Sequence, residues 1–141
     1  MEDPKNQTGN SASPLDTTPK VTGIGGIFFF SDNPKEIKEW YTKNLGIQIN
    51  EWGSVSFEYR TLNMPDVIIP LQWMPFKRGS DYFAPSKKEF MINYTVQNIE
   101  GLVKKLRDDG VTIVDEMQTY DYGKFIHIMD TEGNKIELWE P

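Results

Sequence analysis

The sequence predicts an α+β protein built from two βαβββ modules. Three observations carry that reading. A run of aromatic and β-branched residues precedes an amphipathic helix pattern, and this pairing occurs twice. Both helix patterns close on a glycine, Gly46 and Gly110. A constant offset of 66 places Asp32 on Asn98, Phe30 on Val96 and Trp73 on Trp139. An internal repeat of this kind implies two similar halves, each a small sheet covered on one face by a helix.

Residues 1–20 hold almost no apolar side chain, so they are expected to form a disordered tail that cannot offset its ordering entropy. The folded domain is then 21–141, with halves at about 21–74 and 89–141. Val21–Phe30 reads as the first strand. Ser31-Asp32-Asn33-Pro34 is a turn that caps and opens a helix through Asn44, with Ile37, Trp40, Tyr41 and Leu45 as its apolar stripe. Ile47–Glu51, Val55–Arg60 and Val67–Trp73 follow as strands, punctuated by Gly53 and by Asn63–Asp66. Met74–Lys88 is a long loop with two aromatic clusters, expected either to cap a binding site or to pack on a second subunit.

The second half opens with a strand at Glu89–Val96. A helix from Asn98 to Asp109 carries Ile99, Leu102, Val103 and Leu106 on one face. Strands are then expected at Val111–Glu116 or a little beyond, at Gly123–Met129 and at Asn134–Trp139. The turn Asp130–Asn134 joins the last two, with Gly133 and Asn134 suited to positive φ.

Composition narrows the function. The chain has 141 residues, no cysteine and one histidine, and its net charge is −6 from 15 basic and 21 acidic residues. Disulfides, thiolate metal sites, cysteine nucleophiles and any site needing two imidazoles from one chain are excluded. The acidic balance argues against a nucleic-acid surface. No apolar run approaches the roughly 20 residues of a membrane span, and no secretory leader pattern is present. The expectation is a cytoplasmic protein.

The helix end Trp40-Tyr41-x-x-x-Leu45-Gly46 and the hairpin Asp130-x-Glu132-Gly133-Asn134-x-Ile136-Glu137-Leu138, set in a paired βαβββ pattern, resemble the vicinal oxygen chelate superfamily. That superfamily includes glyoxalase I, fosfomycin- and bleomycin-resistance proteins and extradiol dioxygenases. The resemblance spans 21–141, and Tyr82–Pro141 also resembles a bacterial glyoxalase-related subgroup. It implies a cup-shaped mixed sheet with helices outside, and a divalent metal at the cup floor acting as a Lewis acid. The family's ligand positions fall on Gly25, Leu71, Met91 and Glu137, of which Glu137 alone suits a hard or borderline cation. No metal and no other cofactor is therefore expected. The leading expectation is a binding protein of the resistance type, taking a small aromatic or amphipathic molecule. The alternative is a metal-dependent lyase or dioxygenase resembling lactoylglutathione lyase.

Strand alternation proposes which residues share the cup with Glu137. They are Trp139 and Lys135 on its own strand, Met91 and Asn93 on the fifth, and Gly25, Ile27 and Phe29 on the first. Leu71 and Trp73 come from the fourth strand, His127 from the seventh and Tyr59 from the third. Glu137 and His127 are the candidate catalytic pair, with Phe29, Tyr59, Trp73, Asn93 and Trp139 as candidate ligand-binding residues. The competing readings are that His127 is packed structurally, that Glu137 is a family relic satisfied by Asn93, Tyr59 or His127, and that the tryptophans are core. The expected partners are a small molecule and a second copy of the chain in a homodimer.

Overall fold

The computed structural model describes residues 16–141. Nine elements follow one another: β1 (Lys20–Ser31), α1 (Pro34–Leu45), β2 (Val55–Arg60), β3 (Ile68–Lys77), β4 (Phe90–Gln97), α2 (Ile99–Asp108), β5 (Gln118–Tyr120), β6 (Gly123–Met129) and β7 (Lys135–Glu140). The strands form one mixed sheet in the order β2-β3-β1-β4-β7-β6-β5. β1 and β4 pair antiparallel at its centre and join the halves. On either side lies a parallel neighbour, β3 beside β1 and β7 beside β4. This is the expected α+β architecture of two related modules.

The helix ends follow their capping residues. The Asn33 side chain accepts from Glu36 N at 3.1 Å, Pro34 sits in the first turn, and Gly46 closes α1 at φ 72°. Asn98 does the same for α2, accepting from Gly101 N at 3.1 Å. The two helices differ in what they bury. α2 inserts Ile99, Leu102 and Val103 against Val96, Ile126, Ile128 and Leu138, which is the main core. Each such side chain contributes roughly 1.5–3 kcal/mol by leaving water. α1 buries no residue, and Trp40 and Leu45 stand largely exposed. Its contact with the sheet runs through Tyr41, whose ring lies 4.8 Å from that of Trp73.

Two expected strands do not form as such. Residues 47–51 are irregular, because the Asn50 carboxamide accepts from Trp52 N and Ser54 N at 2.9 Å each and turns the chain locally. Val111–Glu116 makes only an isolated bridge, Ile113 with Ile128. There the Asp115 carboxylate accepts from His127 N at 2.9 Å, taking the place of a ladder bond, and regular pairing resumes only at Gln118. Seven strands result, where two complete modules would have eight.

The chain also enters the sheet earlier than expected. Lys20 already pairs with Gln97, and the Gln97 and Asn98 side chains donate to the carbonyls of Thr18 and Thr17 at 2.8 Å. Residues 1–15 of the expected tail lie outside the described residues. The Met74–Lys88 segment is partly strand, since β3 runs to Lys77, and its aromatics pack inward. Phe83 is buried against Phe30 and Phe76, within the cluster that holds Phe28 and Met91.

Candidate functional site

β1 carries two irregularities in its pairing with β4, between Val21 and Gly23 and between Ile24 and Gly26. A bulge inserts one residue and so inverts which side chains face which side beyond it. Phe28 therefore faces the cup, while Phe29 turns to the helix side and packs on Trp73 at 5.2 Å. β3 follows the same phase, with Pro70, Gln72 and Met74 lining the cup. Trp73 lies under α1, and Tyr59, opposite Ile69 on the β2–β3 ladder, is exposed on that same outer face. Phe29, Tyr59 and Trp73 thus lie on the face away from Glu137, which corrects their expected placement. The second half keeps the expected phase: Asn93, His127, Glu137 and Trp139 come together.

At the floor of the cup Glu137 is 3% exposed and accepts three hydrogen bonds. Asn93 Nδ2 donates to Oε1 at 2.7 Å; His127 Nε2 lies 2.7 Å from Oε2, which also receives the Tyr82 hydroxyl proton. The other His127 nitrogen, Nδ1, lies 2.6 Å from Asp115 Oδ2, so the imidazole bridges two carboxylates. Lys135, also buried, donates to the Tyr82 carbonyl at 2.6 Å and lies 5.3 Å from its ring centre. Tyr82 and Asp115 were not among the expected site residues. Tyr82 is delivered by the aromatic loop, Asp115 by the broken strand.

The electrostatics follow from this arrangement. Burial disfavours the charged Glu137, but hydrogen bonds from His127, Tyr82 and Asn93 outweigh it and hold the carboxyl below its usual range. Burial likewise opposes the His127 cation, and the Glu137 and Asp115 carboxylates reverse that and raise its pKa. The Tyr82 phenol is pushed well up by burial and by the Glu137 charge, so it remains a donor. Burial lowers the pKa of Lys135.

Above this floor opens a cavity of about 770 Å³. Phe28, Trp52, Tyr122, Phe125 and Trp139 supply apolar and aromatic walls, with Gln72, Asn93 and Glu137 among the polar groups. Phe125 stacks on Trp139 at 5.7 Å, and Trp139 Nε1 donates to the Tyr122 carbonyl at 2.7 Å. A smaller recess of about 400 Å³ adjoins it, sharing Tyr122, Phe125 and Glu137, and is completed by Tyr82, Asp115, Gln118, Tyr120 and His127.

The ladders also locate the equivalent floor positions of the two halves. Gly26 faces Asn93 across the central pair, Gly26 pairs with Gln72, and Asn93 pairs with Glu137. The offset is thus 67 on the inner strands and 65 on the outer ones, not 66, so Gln72 rather than Leu71 is the counterpart of Glu137. Neither Gly26, Gln72, Asn93 and Glu137 nor the expected Gly25, Leu71, Met91 and Glu137 makes a fit for a divalent metal. Each set holds one carboxylate, and that one is engaged by three protein donors. Met91 is fully buried with Phe28 and Phe83, and the space at Gly25 is filled: a Cβ there would lie 2.5 Å from Asn93 Oδ1 and 2.8 Å from Trp139 Cε3. Among the described residues no group of three or more His, Asp or Glu side chains is arranged to hold a metal ion.

A curled mixed sheet assembled from two βα modules, with a carboxylate on the last strand at its floor, defines a glyoxalase-like fold. The chain belongs to the Glyoxalase/Bleomycin resistance protein/Dioxygenase superfamily, whose family model matches residues 23–138. No curated protein matches the chain. Solved structures of the same fold include methylmalonyl-CoA epimerase from Mycobacterium tuberculosis, at TM-score 0.57 and 21% identity over 90% of this chain and 93% of that one. A Streptomyces coelicolor methylmalonyl-CoA epimerase variant in complex with 2-nitronate-propionyl-CoA aligns at TM-score 0.61 and 15% identity, covering 86% and 98%. A glyoxalase/bleomycin resistance protein/dioxygenase superfamily member from Vibrio splendidus 12B01 aligns at 0.54 and 14%, covering 88% and 100%. Among the described residues no helix is long and apolar enough to cross a membrane.

Proposed function

We propose that the protein binds a small aromatic or amphipathic molecule in the cup, without a divalent metal, and that Glu137 is the polar anchor. The observation that carries this is the cavity of about 770 Å³, walled by Phe125, Trp139, Tyr122, Trp52 and Phe28 and floored by the one buried carboxyl group of Glu137. A largely apolar hollow with a few convergent polar groups is the usual composition of a small-molecule site. His127, Tyr82 and Asn93 fix the Glu137 carboxylate in place, so its free lone pair meets a ligand without reorganisation. The test is a thermal-shift screen of planar aromatic compounds against wild type and Glu137→Gln. Compounds that stabilise wild type and lose most of that effect in the variant support the reading; equal shifts in both proteins oppose it.

A second reading, metal-free proton transfer, is favoured by the continuous path Glu137–His127–Asp115, which leads from the cup to a carboxylate 35% exposed. Glu137 would accept a proton from the ligand and His127 would pass it outward. Solvent deuterium appearing in a bound ligand with wild type, and not with His127→Gln, would mark catalysis; no incorporation would mark binding.

The protein is further proposed to act as a homodimer. Val21, Ile24, Ile27, Phe57 and Tyr59 share the face of β1–β3–β2 opposite the cup, and all are exposed. In the second half the matching face is covered by α2. A second copy laid on the bare face would cover it in the same way.

A further inference from the structure

Hydrogen bonding at the cup floor is one-sided. The donors there are engaged within the protein: Asn93 Nδ2 and the Tyr82 hydroxyl on Glu137, both His127 nitrogens on carboxylates, Trp139 Nε1 on the Tyr122 carbonyl, and Gln72 Nε2 on Ser56 Oγ at 3.3 Å. At the floor itself what remains open is acceptors, the donors without a partner among the described residues being on the walls, at Trp52 Nε1 and the Tyr120 and Tyr122 hydroxyls. Asn93 Oδ1 is buried and has no partner among the described residues, although Asn93 lines the cup and is only 2% exposed. Glu137 Oε1 accepts one bond and retains a lone pair. A buried acceptor without a donor is costly, so the floor as a whole is rich in acceptors and favours a ligand that donates.

Charge points the same way. Among the described residues no lysine or arginine lines the cup or the adjoining recess, whereas Asp115 and Glu137 do. With His127 as a cation the set Asp115, Glu137 and His127 carries a net charge of −1, and with His127 neutral it carries −2. The Lys135 ammonium, bound to the Tyr82 carbonyl, offsets one unit of this charge from outside both spaces, so the charges that face a ligand are those of Asp115, Glu137 and His127. The recess adds π-faces suited to a cation. Tyr120 and Tyr122 stack on each other at 5.2 Å and both meet Phe125 edge-on, at 5.9 and 5.6 Å.

We infer that the cup and its recess select an aromatic ammonium, a protonated primary or secondary amine on an aromatic or amphipathic body, and reject anions of the acyl-CoA kind. This rests on the reading of the cup as a ligand site. The aromatic body fits between Phe125–Trp139 and Phe28. The ammonium N–H groups answer the open lone pair of Glu137 Oε1, and its charge is shared with Asp115. A carboxylate, phosphate or thioester oxygen offers only further acceptors to a floor that already has too many.

The experiment compares three probes of matched size at pH 7 by calorimetry and tryptophan fluorescence: phenethylamine, 2-phenylethanol and 3-phenylpropionate. Phenethylamine is expected to bind at least about tenfold more tightly than the alcohol, with no measurable binding of the propionate. Added salt should weaken the amine more than the alcohol. Glu137→Gln should bring the amine-to-alcohol ratio to within about twofold of unity. Asp115→Asn, on a partly exposed side chain, gives a second reading of the same ratio should the first variant fold poorly, and is expected to lower it. If the alcohol or the propionate binds as tightly as the amine, the inference is overturned while the cup remains a ligand site. If none of the three binds, both readings fall.

Discussion

Glu137 and His127 are each held in charged form by the other, which gives stability a defined pH window. His127, with its pKa raised above the ordinary 6.5, contributes fully below 6.5 and loses that contribution as pH rises through the folded-state value. Glu137, with its pKa lowered from 4.5, contributes above 4.5 and loses it as pH falls through the folded-state value. The part of stability due to this pair is therefore greatest from 4.5 to 6.5 and declines on both sides. Urea denaturation across pH should show this in wild type, and His127→Gln should remove the decline on the alkaline side. Removing one partner of a buried pair should also cost about 3 kcal/mol near pH 6. Gly25 offers a second test at this scale. Gly25→Ala would force a methyl group against Asn93 and Trp139, and overpacking of that kind should cost about 1–3 kcal/mol by chemical denaturation.

The two helices make opposite predictions. Leu102→Ala on α2 empties a core position and should cost about 2–5 kcal/mol, while Leu45→Ala on α1, 63% exposed, should cost under about 0.5 kcal/mol in a monomer. Guanidinium denaturation of both variants measures the contrast. Both helices were legible in the sequence because their caps, Asn33–Pro34 with Gly46 and Asn98 with Gly110, and their apolar stripes are local signals. Strands β4, β6 and β7 of the second half were equally legible, since an unbroken period of two along each carries Asn93, His127, Glu137 and Trp139 to one face. The first half was not. One bulge residue at Gly25 reverses the face of everything beyond it on β1, and β3 follows through its pairing, so Phe29 and Trp73 turn outward. Tyr82 and Asp115 reach the site from a loop and from an interrupted strand, where no periodicity exists to announce them. At the N-terminus, Gln97 and Asn98 tie down Thr17 and Thr18. Deleting residues 1–15 is expected to leave the melting temperature unchanged, and deleting 1–20 to lower it measurably.

Across the whole molecule, the repeat yields a sheet whose second half is closed by α2 and whose first half leaves apolar side chains bare. If a second copy covers that face, sedimentation velocity at micromolar concentration should show a dimer, and Ile24→Asp should shift it to monomer. A wild-type monomer at those concentrations would contradict the homodimer. The superfamily's scaffold is here arranged around a carboxylate engaged by His127, Tyr82 and Asn93, which the proposed function makes a recognition group and not a metal ligand. The direct measurement is elemental analysis of the full chain purified without chelator and dialysed against metal-free buffer. Fewer than about 0.1 equivalents of zinc, nickel, iron, cobalt or manganese per chain is the predicted result, since one engaged carboxylate among four floor positions cannot complete a coordination shell. About one equivalent of any of them, retained through dialysis, would contradict a metal-free cup.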